Sequence, residues 1–165
     1  KENHFIENKI INQALDITER EIIKNKIIVL LSYRQRSKKE LKDTFVSKGY
    51  NINNVLIVID KLEQRKYLDD KLFTKMMASH LVKEKNLGRY LVEQKLLHYG
   101  IDVSEMEPIV SDLYKKYPPS KTIEKILNKK KISIVNTLKN KLKMINHLKR
   151  KGFYFDEINS IIESY

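Results

Sequence analysis

The chain has 165 residues, 41% of them hydrophobic, with 33 Lys or Arg against 21 Asp or Glu and a net charge of +12. Cysteine is absent and no apolar run exceeds five residues, which excludes disulfides, thiolate metal sites and a bilayer-spanning segment; with no signal peptide, a cytoplasmic location is expected. Four glycines and three prolines are too few for a sheet punctuated by turns, and the wealth of Lys, Glu, Leu and Ile predicts an all-α chain.

Residues before Thr18 (Phe5, Ile6, Ile10, Ile11, Ala14 and Leu15) recur at helical spacing and predict the end of an upstream element packed on the first unit. Thr18-Glu19-Arg20-Glu21 and Ser37-Lys38-Lys39-Glu40 both have capping-box spacing. They predict a helix of about 15 residues from Thr18, apolar at Ile22, Ile23, Ile27, Leu30 and Leu31, and a shorter one from Ser37 to Lys48. Gly49 is expected to end that helix in a left-handed conformation, with Tyr50 folding back on its last turn and Asn51 or Asn53 opening a third. The same plan follows from Asp69 or Asp70 through Glu84, from Leu87 to Tyr99, then Gly100 and a helix from Asp102 or Ser104, closed by Pro118-Pro119. A looser third copy is predicted over Ser120 to about Lys130, a break near Ile132 to Asn136, a helix to Lys151-Gly152, and Phe155 to Ser164.

The copies are in register. Gly49, Gly100 and Gly152 are 51 and 52 residues apart, each preceded at eight and four residues by an apolar pair (Leu41 and Phe45, Val92 and Leu96, Met144 and Leu148). Tyr50, Ile101 and Phe153 follow directly, and further apolar positions fall 6, 9, 10 and 13 residues beyond each glycine. A fixed period of this size marks stacked supersecondary units too small to hold a core alone. The expected fold is therefore a helical array of tandem three-helix repeats: an N-terminal helical extension over 1–17, then repeats at 18–66, 67–118 and 119–165.

The charge is uneven. Residues 115–151 hold thirteen Lys or Arg against one acid, Glu124, and so carry the whole excess, while the remainder has twenty of each sign. This is either a solvated lysine-rich surface or an end that faces a polyanion. Candidate contacts are Lys125, Lys129, Lys130, Lys131, Lys139, Lys143, Lys149, Arg150 and Lys151; Lys139, Lys143 and Arg150 share a helix face, partly opposite an apolar seam of Leu138, Met144 and Leu148. Lysines neutralise phosphates without reading bases, so DNA binding through them would be independent of sequence. Arg34 and Arg36 flank a predicted turn, where they either reach a carboxylate or phosphate on a partner or pair with Glu40 and Asp43 over the repeat's own core.

Catalysis finds no footing. Asp69 and Asp70 are adjacent at a helix start, where N-capping of the fourth helix is the better reading than a convergent carboxylate pair. His4, His80, His98 and His147 are dispersed, and no phosphate-loop or nucleophile-elbow pattern occurs. No catalytic residue, cofactor or metal is expected.

Three motifs together carry a resemblance. Leu31-Ser32-Tyr33-Arg34-Gln35-Arg36-Ser37-Lys38-Lys39-Glu40-Leu41 resembles the opening signature of the RecX family, modulators of the RecA recombinase. Tyr67-Leu68-Asp69-Asp70-Lys71-Leu72-Phe73 resembles its aromatic-aliphatic-Asp-Asp motif, and Leu148-Lys149-Arg150-Lys151-Gly152-Phe153 with Phe155-Asp156-Glu157-Ile158 its basic-Gly-aromatic ending. The resemblance spans roughly residues 27–165; Lys66 departs from it, standing where a glycine often precedes the Asp-Asp motif. It implies an elongated, curved array of three three-helix repeats, with residues 1–17 the remnant of extra N-terminal sequence. It also implies an inhibitor that binds the RecA–DNA filament and suppresses ATP hydrolysis, strand exchange and filament growth; a non-enzymatic monomer is expected. The alternative is a sequence-independent DNA-binding repeat protein that acts without RecA.

Overall fold

The computed structural model describes residues 2–129 and 138–163, and among them the chain forms nine helices and no strand. These are α1 (Glu2–Tyr33), α2 (Lys38–Val46), α3 (Ile52–Gln64), α4 (Asp70–Lys83), α5 (Arg89–His98), α6 (Val103–Lys116), α7 (Pro119–Lys129), α8 (Leu138–Arg150) and α9 (Phe155–Ile162). The expected break near Ile132 to Asn136 lies outside the described residues. The chain packs as two compact units, Lys1–Phe73 and Thr74–Tyr165.

In the first unit α1 and α2 both pack on α3. Ile23 and Ile27 from α1, Leu41 and Phe45 from α2, and Val55, Val58, Ile59 and Leu62 from α3 form its buried core, with Tyr50 packed at the edge. In the second unit α5 packs on α6, and α7 and α8 both pack on α9. Ile123, Ile126 and Leu127 meet Met144, Leu148, Phe153, Ile158 and Ile162 there. The apolar frame read around each glycine is thus largely core.

The three helix ends are closed alike. Gly49, Gly100 and Gly152 have φ of 87°, 79° and 86°. In each case the next residue donates its N–H back five residues: Tyr50 to Phe45, Ile101 to Leu96 and Phe153 to Leu148, at 3.2, 3.2 and 3.3 Å. This is the Schellman closure, which satisfies a carbonyl of the last turn and folds the following apolar residue onto the helix. Lys66 closes α3 the same way, at φ 60°, with Tyr67 N–H on the Leu62 carbonyl at 2.9 Å. An L-residue in that region costs about 1–2 kcal/mol. Lys66→Gly should therefore raise stability by about 0.5–1 kcal/mol, the relief being reduced by glycine's larger unfolded-state entropy; urea titration of both proteins checks it.

Four expectations change. α1 runs unbroken through Thr18, whose hydroxyl donates to the Ala14 carbonyl at 2.9 Å instead of capping a new helix. Ile10, Ile11 and Leu15 are exposed rather than packed on the first unit, which this half of α1 meets through Asp16, whose carboxylate accepts from the Asn54 amide at 2.8 Å; Ile22 is exposed as well. Leu138 is also exposed, leaving Met144 and Leu148 as the buried seam of α8. Finally, only Asp69 caps α4, accepting the Leu72 N–H at 2.9 Å. Asp70 instead accepts the Lys38 N–H at 3.0 Å, so its carboxylate sits at the start of α2.

Burial pushes the Asp70 carboxyl up, against the opposing pull of the Lys38 N–H and ammonium. The folded state then binds this proton more tightly than the unfolded chain, so the group's contribution to stability falls as pH rises through the carboxylate range. Asp70→Asn keeps an oxygen for Lys38 and removes the buried charge. It should gain on the parent protein as pH rises, whereas Asp70→Ala should lose about 1–2 kcal/mol at neutral pH for want of an acceptor. Thermal melts across acid to neutral pH separate the two.

Candidate functional site

The candidate residues fall in both units. In the first, residues 34–37 form the short turn between α1 and α2. Ser37 caps α2, accepting the Glu40 N–H at 3.1 Å. The Glu40 carboxylate then draws both arginines inward: Arg34 donates through both terminal nitrogens, one of them at 3.0 Å, and Arg36 donates at 2.6 Å. Asp43 pairs with Lys39 at 2.8 Å. The arginines thus fix their own turn, with Arg36 and Glu40 mostly covered and Arg34 more open. Two polar atoms of the turn, Gln35 Oε1 and Arg36 Nε, are buried without a partner.

In the second unit, Lys125 and Lys129 are exposed on α7, and Lys139, Lys143, Lys149 and Arg150 on α8. Lys130 and Lys131 lie outside the described residues. With 3.6 residues per turn, Lys139, Lys143 and Arg150 lie within about 40° of one another around α8. Met144 and Leu148 face the other way into the core, so the cationic stripe stands opposite the apolar seam more fully than sequence spacing suggests. The Lys149 ammonium rests 5.0 Å from the centre of the Phe155 ring. Lys151 is turned into the fold: its ammonium donates to the Lys85 carbonyl at 3.0 Å, and its own carbonyl accepts the Gly88 N–H at 2.8 Å.

One basic cluster has no signature in the sequence. Arg20 and Lys24 of α1 and Lys61 of α3, with Arg65 just beyond it, surround Glu21 at a small cavity of about 100 Å³. The Lys24 ammonium, hydrogen-bonded to Glu21 at 2.8 Å, holds that carboxyl below the usual range, assisted by the charges of Lys61 and Arg65. Neighbouring acids along the chain cancel these cations in any count of net charge, and only the pairing of α1 with α3 gathers them. Among the described residues no group of three or more metal-ligating side chains occurs, and no helix is long and apolar enough to cross a membrane.

The all-α body is shared with known proteins. The chain is similar to the regulatory protein RecX of Pelodictyon phaeoclathratiforme, 30% identical over 135 residues that cover 81% of this chain and 82% of that one. The chain belongs to the RecX family. It is also similar to the RecX proteins of Bacillus velezensis, 33% identical over 142 residues (84% of this chain, 53% of the relative), and of Streptococcus mutans, 29% identical over 141 residues (85% and 54%). The chain thus spans about half the length of several curated relatives it matches. The crystal structure of RecX from Lactobacillus salivarius superposes with a TM-score of 0.71 at 22% identity, covering 90% of this chain and 97% of that one. A second RecX crystal structure reaches 0.79 at 16% identity, covering 94% and 77%. No protein-family model matches the chain. Lys66, left-handed at φ 60°, keeps the Schellman closure without a glycine, at the cost of local strain.

Proposed function

We propose that this protein is a non-enzymatic inhibitor of the RecA recombinase, binding the RecA–DNA filament and suppressing its ATP hydrolysis, strand exchange and growth. Membership of the RecX family carries the reading, through the 30% identity to a relative covered over 82% of its length. In this reading a cytoplasmic monomer presents three successive helical repeats, over 18–66, 67–118 and 119–165, with a different surface on each. The Arg34–Glu40 turn marks the first, the Asp69-Asp70 junction opens the second, and the cations of α7 and α8 mark the third. Adding the protein below RecA's own concentration should depress DNA-dependent ATP hydrolysis and strand exchange. Full activity of both, with no binding to the filament, overturns the reading.

The +12 charge gathered in residues 115–151 favours a second reading, a sequence-independent DNA-binding protein that needs no RecA. The two separate on one comparison. Affinity for a RecA-coated strand far above that for the bare strand supports the filament regulator, and equal affinity supports the other.

A further inference from the structure

The second unit holds an open cavity of about 330 Å³ where the end of α4, the end of α6 and the first turns of α7 meet. Four ammonium groups line it: Lys83 from α4, Lys116 from α6, and Lys121 and Lys125 from α7. No acidic side chain is among the described residues that line it. Cations of one sign gathered at one cavity create a local field that favours an anion.

The floor is shaped as well as charged. The Tyr117 ring is within reach of two of the cations, 5.0 Å from the Lys83 ammonium and 5.9 Å from that of Lys116, and its π-face attracts both. Pro118, at the cap position of α7, has no side-chain oxygen to accept the first free N–H groups of that helix. The positive end of the helix dipole therefore adds to the lysines. Lys121 and Lys125 then continue to Lys129 at four-residue intervals, about 6 Å apart along the axis. Evenly spaced point charges suit a polymer with evenly spaced anions, and lysine, lacking the planar fork of arginine, suits phosphate as a point charge.

We propose that this cavity seats the backbone phosphates of a DNA strand, and that the stripe Lys121, Lys125 and Lys129 leads the strand out of it. The assignment deepens the filament reading by naming a contact for DNA. Three of the four cavity lysines, Lys116, Lys121 and Lys125, lie in the basic stretch 115–151, though only Lys125 is among the candidate contacts read from it, and Lys83 joins them only through the fold.

The test is fluorescence anisotropy of the whole protein, without RecA, on a labelled oligothymidine and on a duplex of equal length. Lys83 and Lys121 are exposed, so Lys83→Gln with Lys121→Gln leaves the fold intact, which circular dichroism verifies. The double variant should bind the single strand about tenfold more weakly at low salt. Its slope of log affinity against log salt should flatten by about 1.4, at about 0.7 per phosphate neutralised, or by about 1.8 on the duplex if the cavity prefers paired strands. Lys83→Arg with Lys121→Arg should restore binding to within about twofold. Unchanged affinity and slope overturn the proposal. So does a loss seen with labelled polyglutamate but not with either DNA, which would make the cavity a seat for an acidic protein segment. RecA is absent from the cuvette, so failure here leaves inhibition of RecA to its own assay.

Discussion

Gly88→Ala is expected to cost about 3 kcal/mol or more and to lower the melting temperature by on the order of 10 °C. Gly88 has an ordinary backbone, φ −77° and ψ 163°, so alanine meets no torsional penalty there. The cost is steric: a Cβ on Gly88 would overlap the Gly152 carbonyl and the Phe153 nitrogen, all backbone atoms with no rotamer to escape into. The approach is locked by the 2.8 Å bond from the Gly88 N–H to the Lys151 carbonyl, so relieving the overlap breaks that bond as well. Gly152→Ala should be at least as harmful, adding a φ of 86° to overlap with Leu91. Gly49→Ala is the control. It shares the left-handed φ, 87°, but has nothing within 4 Å of the added carbon, so it should lose only about 1–2 kcal/mol. Equal melting of the Gly88 and Gly49 variants would show that α5 does not rest against the end of α8.

That contrast also explains what the sequence reveals and what it hides. Gly49, Gly100 and Gly152 are legible because a helix end is a local event: the glycine, the apolar residue after it and the carbonyl it folds onto lie within six residues. The shared spacing then aligns the cores. Gly88 carries no such sign, since its need for glycine comes from a segment more than sixty residues away. Thr18 misleads for the opposite reason. Thr-x-x-Glu fits a helix start, but the hydroxyl serves equally well inside a helix by bonding back to Ala14, and the apolar period on both sides of it belongs to one continuous helix. Asp70 shows the same limit, because its carboxylate serves α2 and only the fold brings the start of that helix to it.

The candidate site divides along the same line. A cationic stripe on α8 is written in the spacing of Lys139, Lys143 and Arg150, with no acid in the helix to cancel it. The cluster around Glu21 is assembled by helix pairing and diluted in local charge counts, whereas the one around Tyr117 takes three lysines from the basic stretch and only Lys83 through the fold.

Reversing the α8 stripe is expected to have the largest effect on binding. Lys139→Glu, Lys143→Glu and Arg150→Glu together should weaken DNA binding at low salt by about a hundredfold or more, and flatten the salt slope on duplex by about 2.7, at about 0.9 for each phosphate no longer neutralised. All three side chains are exposed and opposite Met144 and Leu148, so the core is untouched. Relief of repulsion among the remaining lysines offsets the unfavourable acid at the helix C-terminus, worth about 0.3–1 kcal/mol, and the melting temperature should move little. Anisotropy titrations at several salt concentrations, beside a thermal melt, read both effects. Unaltered affinity in a folded triple variant would remove α8 from the DNA-binding surface. Loss of bare-DNA affinity with inhibition of RecA retained would show that the protein engages the filament through RecA itself, with the cations of α8 serving only to bring it to the strand.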